Sequence, residues 1–148
     1  MRKSIRRVGS SRHRNDPRNP GRHRREHWCI DNQIYFITAR CREGLHAFET
    51  AAAKSVFWQQ FDLKTEAFGF TPIITALMSN HYHTLGHLRS GNDLPQLMQR
   101  FHGAIAKLTN DLRPTEDRIP RLFREVGGRR QYFDGAIRDG RQFTRCYR

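Results

Sequence analysis

Two histidines, His81 and His83, stand one residue apart around Tyr82. In a strand, residues two apart leave the sheet on the same face. Both imidazoles would therefore project together while Tyr82 turns to the other face, where it can pack. Paired imidazoles at this spacing can grip one divalent metal and leave coordination positions open for a substrate oxygen. Structural or surface histidines produce the same pattern, so the pair alone does not decide between the two readings.

The elements around the pair follow from local pattern. Gln33 to Thr38 is rich in β-branched and aromatic residues and reads as a strand. From Thr50, a plausible N-cap, to about Phe68 the pattern is helical, with Val56, Phe57, Gln60, Phe61 and Lys64 at three-to-four spacing. Phe70 to Met78 reads as a second strand, Ser79-Asn80 as a turn, and His81 to Leu85 as a third strand antiparallel to the second. Gly86 weakens any continuation of that third strand.

An amphipathic helix follows, with Asp93 as its N-cap and Leu94, Leu97, Met98, Phe101, Ile105 and Leu108 on one face. Asn110 and Pro114 mark its end, and Arg113 to Arg130 reads mostly as loop. Tyr132 to Ile137 forms a short strand or turn, and a last helix begins near Asp139 or Gly140. This order predicts an α+β fold, an antiparallel sheet with helices on one face.

Composition points to the partner. The chain has 148 residues and a formal net charge of +13, a field that draws polyanions, nucleic acid first among them. A solvated basic protein or a binder of anionic membranes remains open on charge alone. Residues 1–26 are dominated by Arg, Ser, Asn, Pro and Gly and read as a disordered basic arm; residues 27–148 read as one domain. No apolar run approaches the roughly 20 residues that span a bilayer. The three cysteines, Cys29, Cys41 and Cys146, form neither a CxxC pair nor an even framework. A cytoplasmic protein with reduced thiols is the expectation.

Ala76-Leu77-Met78-Ser79-Asn80-His81-Tyr82-His83 resembles the histidine–hydrophobe–histidine (HUH) motif of single-tyrosine transposases, specifically the insertion-sequence-200-like group and its REP-associated branch. Ile34 to Arg40 looks like that family's opening strand and Leu94 to Asn110 like the helix after the motif. Phe133-Asp134-Gly135-Ala136-Ile137-Arg138-Asp139 looks like the segment leading to the tyrosine helix. Ser79 departs from the proline found in many members. The resemblance spans about Trp28 to Arg148 and implies a ferredoxin-like HUH nuclease fold. It also implies Mg²⁺ or Mn²⁺ held by His81 and His83, a single-stranded or hairpin DNA substrate, a homodimer, and cleavage and rejoining through a 5′-phosphotyrosyl intermediate.

The resemblance places the nucleophilic tyrosine immediately after Arg148 and a third, polar metal ligand one helical turn further, so the domain reads as C-terminally truncated. Tyr147 is the available substitute, although two residues of helix turn it about 200° from the expected direction. Arg100, Lys107, Arg129, Arg130 and Arg138 are candidate phosphate contacts, and a solvated surface explains each about as well. His87 could share the metal face if its strand continued, and otherwise reads as a structural or DNA-facing residue. His102 reads as a boundary residue of its helix, and Trp28 and Trp58 as core or capping aromatics. Two other functions compete: a non-catalytic DNA-binding protein derived from a decayed or domesticated transposase, and a structural zinc protein using His81, His83 and a cysteine.

Overall fold

A computed structural model of the protein describes residues 29–126, 129–130, 132–137 and 139–147. The predicted basic arm, residues 1–26, lies outside the described residues. The first strand, β1 (Gln33–Arg40), alternates as a half-buried strand should, with Tyr35, Ile37 and Ala39 buried on one face. Helix α1 (Ala51–Ala67) starts where expected: the Thr50 hydroxyl accepts a hydrogen bond from the Ala53 amide at 3.2 Å. Its buried stripe is Ala53, Phe57, Phe61 and Thr65, one residue per turn. Gln60 and Lys64, predicted on that stripe, lie at its half-buried edge.

Strands β2 (Phe70–Leu77) and β3 (His81–Leu88) form a tight hairpin closed by the Met78 amide donating to the His81 carbonyl at 2.9 Å. β2 is an edge strand with a register shift between Pro72 and Ile74. A proline, which has no N–H to donate, is tolerated at such a position.

β3 runs to Leu88 rather than stopping near Leu85. Gly86 does not break it, because its missing side chain makes room for a neighbour. A Cβ there would lie 2.4 Å from the Phe70 ring and 2.8 Å from the Thr71 carbonyl oxygen. Glycine lets β2 and its aromatic side chain close onto β3.

Helix α2 (Leu94–Asp111) buries Leu94, Leu97, Met98, Phe101, His102, Ile105 and Thr109. Asp93 makes no side-chain capping bond. The entry to α2 is instead a short 3-10 turn, Gly91–Asp93, whose Gly91 amide donates to the Asp31 carboxylate at 2.9 Å.

The segment read as loop holds a small ribbon, β4 (Glu125–Val126) and β5 (Arg129–Arg130). β6 (Tyr132–Ala136) then pairs with β1, and α3 (Gly140–Tyr147) follows, its first turn capped by the Asp139 carboxylate accepting from the Gln142 amide at 2.8 Å.

The main sheet has the order β2-β3-β1-β6, antiparallel at every pairing. With its β-α-β-β-α-β chain order this is a ferredoxin-like α+β fold. Phe57 of α1 is fully buried at the centre of the core. Its ring meets Phe48, Phe61, Phe101 of α2 and Tyr82 of β3 at centroid distances between 5.1 and 5.8 Å. Both α1 and α2 therefore lie on the Tyr82 side of the sheet.

Candidate metal centre on the second face of the sheet

Because Tyr82 enters the core, its two neighbours must leave from the opposite face. Tyr82 is 1% exposed, while His81 and His83 are half-buried. The imidazole centroids are 5.0 Å apart with ring planes at 83°. Each ring is oriented through Nδ1. The Asn80 side-chain oxygen lies 2.6 Å from Nδ1 of His81, and the Thr38 hydroxyl lies 2.7 Å from Nδ1 of His83. An amide oxygen can only accept, so His81 carries its proton on Nδ1 and its lone pair on Nε2. The Thr38 hydroxyl is able to accept in the same way, and Phe36 stacks on the His83 ring at 5.6 Å and 9°. A metal-binding histidine typically has this arrangement, its second nitrogen tied to an outer partner.

Electrostatics favour the ligand form of both rings. Burial lowers the His81 pKa, and the Arg40 charge lowers it further. Burial likewise lowers that of His83, with additional depression from His81 and Arg40. Neutral imidazole is the species that binds metal, so both rings suit a divalent cation.

Arg40 is the direct cross-strand partner of His81, and Thr38 that of His83. Neither stood out as a site residue in the sequence. Strand alternation puts positions 36, 38 and 40 on one face, but only the register of β1 against β3 sets that face beside the histidines.

The core holds the pair in place from behind. The Tyr82 hydroxyl meets Nε2 of His102 at 2.8 Å, and the His102 ring stacks on Phe123 at 3.9 Å. Burial pushes the Tyr82 phenol well above its usual range, so it stays protonated. His102 is thus a core residue, 1% exposed, rather than a boundary one. Trp58 is 38% exposed and packs edge-to-face on Phe57 and Phe61.

The other predicted residues are spread over the molecule. His87 shares the face of the pair, yet it is four residues beyond His83, roughly 13 Å along a strand. It pairs across to Ile34 and Thr71, too far along to ligate the same ion. Arg100 and Lys107 are exposed on α2, in the layer on the other side of the sheet, and Lys107 is bound to Asp111 at 2.8 Å. Arg129 and Arg130 form β5, their side chains outside the described residues, and Arg138 lies outside them entirely. Tyr147 ends α3, and its side chain is likewise outside the described set.

Among the described residues no group of three or more His, Cys, Asp and Glu side chains is arranged to hold a metal. The zinc-protein reading therefore finds no cysteine to join the pair. Cys41 in particular is buried, and burial pushes its thiol pKa up to about 11.

No protein-family model matches the sequence, and no curated protein does. Solved structures do match. A REP-associated tyrosine transposase bound to a REP hairpin superposes with a TM-score of 0.61 at 13% identity, over 85% of this chain and 67% of that one. A Deinococcus radiodurans R1 protein provisionally assigned as a transposase gives 0.57 at 12% identity, over 80% of this chain and 89% of the other. The chain shares the fold of these two structures. The α+β architecture expected from the sequence is thereby matched in its open four-stranded antiparallel sheet. Among the described residues no helix is long and apolar enough to cross a membrane.

Proposed function

We propose that this chain carries the metal-binding half of a DNA strand-transfer site of the insertion-sequence-200-like, REP-associated type. One observation carries the reading: two imidazoles share one face of the sheet, each with its Nδ1 within hydrogen-bond distance of an outer side chain. His81 and His83 would hold Mg²⁺ or Mn²⁺, which when bound supplies Lewis acidity at a phosphate oxygen. Arg40, beside His81, adds a fixed positive charge where phosphate charge accumulates. Thr38 and Asn80 keep the rings from rotating as a substrate enters.

The substrate in this reading is single-stranded or hairpin DNA, supported by the net charge of +13 and by the hairpin bound to the structural neighbour. A tyrosine hydroxyl attacks the phosphorus, the P–O3′ bond breaks, and the products are a 5′-phosphotyrosyl protein and a free 3′-OH. Tyr147, at the end of α3, is the substitute candidate within this chain for that step.

The test is a denaturation-resistant protein–DNA adduct formed with hairpin-bearing single strands. It should require Mg²⁺ or Mn²⁺ and disappear in His81→Ala, His83→Ala and Tyr147→Phe. An adduct that survives the histidine changes refutes the metal assignment; one that survives Tyr147→Phe refutes that nucleophile alone. The basic charge also supports a second reading, a DNA-binding protein without chemistry. Salt-sensitive binding with no adduct under any metal condition would establish it.

A further inference from the structure

Next to the histidine pair, on the side of Asn80, lies a cleft of about 840 Å³. Among the described residues its walls carry four arginines, Arg40, Arg42, Arg121 and Arg124, against one carboxylate, Glu43. The two walls come from distant parts of the sequence and are tied backbone to backbone. Cys41 bridges to Phe123, the Arg42 amide donates to the Leu122 carbonyl at 3.0 Å, and the Arg124 amide donates to the Arg40 carbonyl at 2.9 Å. A third tie, from the Cys41 amide to the Asn80 carbonyl at 2.8 Å, joins the cleft to the hairpin that bears the histidines.

Guanidinium groups repel one another, so their gathering on one cleft favours an anion with several charges at intervals. Their planar fork suits phosphate oxygens. The aromatic ring on the walls, Phe123, is 3% exposed and already stacked on His102, so it offers no platform for a base. Contact with the backbone rather than the bases follows. Two residues belong to both places: Arg40 pairs across from His81, and Asn80 orients the His81 ring.

We propose that this cleft holds the sugar–phosphate backbone of the single DNA strand as it runs from the histidine pair past Asn80, with Arg42 and Arg124 binding phosphates that follow the one at Arg40. This rests on the strand-transfer reading above. It places phosphate contacts on arginines the sequence did not single out, on the other side of the sheet from the candidates Arg100 and Lys107.

The experiment is fluorescence anisotropy of the full chain with a short labelled single strand, over a salt series in chelator, so that no metal-dependent step intervenes. Each phosphate contact to a single strand contributes about 0.7 to the slope of log affinity against log salt. Arg42→Gln with Arg124→Gln should therefore lower the slope by about 1.4 and weaken binding about 25-fold near 0.1 M salt. Glu43→Gln should tighten binding, a gain that misfolding cannot mimic. Arg100→Gln with Lys107→Gln, which removes the same charge from α2 across the sheet, should cost far less affinity than the Arg42/Arg124 pair. An unchanged slope in the Arg42/Arg124 variant overturns the cleft while leaving the strand-transfer reading to its adduct test. Equal losses in the Arg100/Lys107 variant also overturn it. A wild-type chain that binds no single strand refutes both.

Discussion

Replacing Asn80 with alanine removes the oxygen that accepts from Nδ1–H of His81 at 2.6 Å. Without it the ring can rotate, and its proton can move to Nε2, the nitrogen needed for metal. The backbone contribution of residue 80 survives, since its carbonyl still accepts from the Cys41 amide. A half-buried neutral hydrogen bond of this kind is worth about 0.5–1.5 kcal/mol, and losing the outer partner of a metal-bound histidine typically costs roughly 10–100-fold in affinity. The two ranges overlap near tenfold. Titration calorimetry with Mn²⁺ should therefore show Asn80→Ala binding about tenfold more weakly. Asn80→Asp, which keeps the acceptor and adds charge, should bind at least as tightly as wild type. If Asn80→Ala binds Mn²⁺ as wild type does while His81→Ala does not bind, the orienting role is refuted.

Acidification tests the same rings. Both histidine pKa values lie below the ordinary 6.5, so Mn²⁺ binding should persist as pH falls through 6.5 and fail only below the folded-state values. In that window the unfolded chain binds protons that the folded chain does not, so the metal-free protein loses stability as pH drops. His81→Gln with His83→Gln should flatten the dependence of Tm on pH. Phe57→Ala, at the centre of the aromatic core, should cost about 3–5 kcal/mol in denaturant unfolding. Gly86→Ala would force a Cβ within 2.8 Å of the Thr71 carbonyl, and should cost about 1–3 kcal/mol in the same assay by pushing β2 away from β3.

What the sequence revealed was mostly local. A two-residue period separates His81 and His83 from Tyr82, and the Tyr82 ring does enter the core. Thr50 caps α1 because the capping signal lies within three residues of it. The features missed depend on contacts between distant segments. Gly86 reads as a strand breaker until the Phe70 ring is seen filling its place. Asp93 reads as a cap, but the carboxylate at the start of α2 comes from Asp31, 60 residues before the Gly91 amide it accepts from. His102 looks like a boundary residue until its partner Tyr82 is placed. Arg40, Arg42, Arg121 and Arg124 were indistinguishable among 27 basic residues until the backbone ties between 40–42 and 122–124 brought them to one cleft.

The most direct measurement is a crystal of this chain grown with Mn²⁺ and examined by anomalous scattering at the manganese edge. The prediction is one strong peak bonded to Nε2 of both His81 and His83, with each Nδ1 still held by Asn80 and Thr38. A peak elsewhere, or none at saturating Mn²⁺, would contradict the assignment of this face as a metal centre.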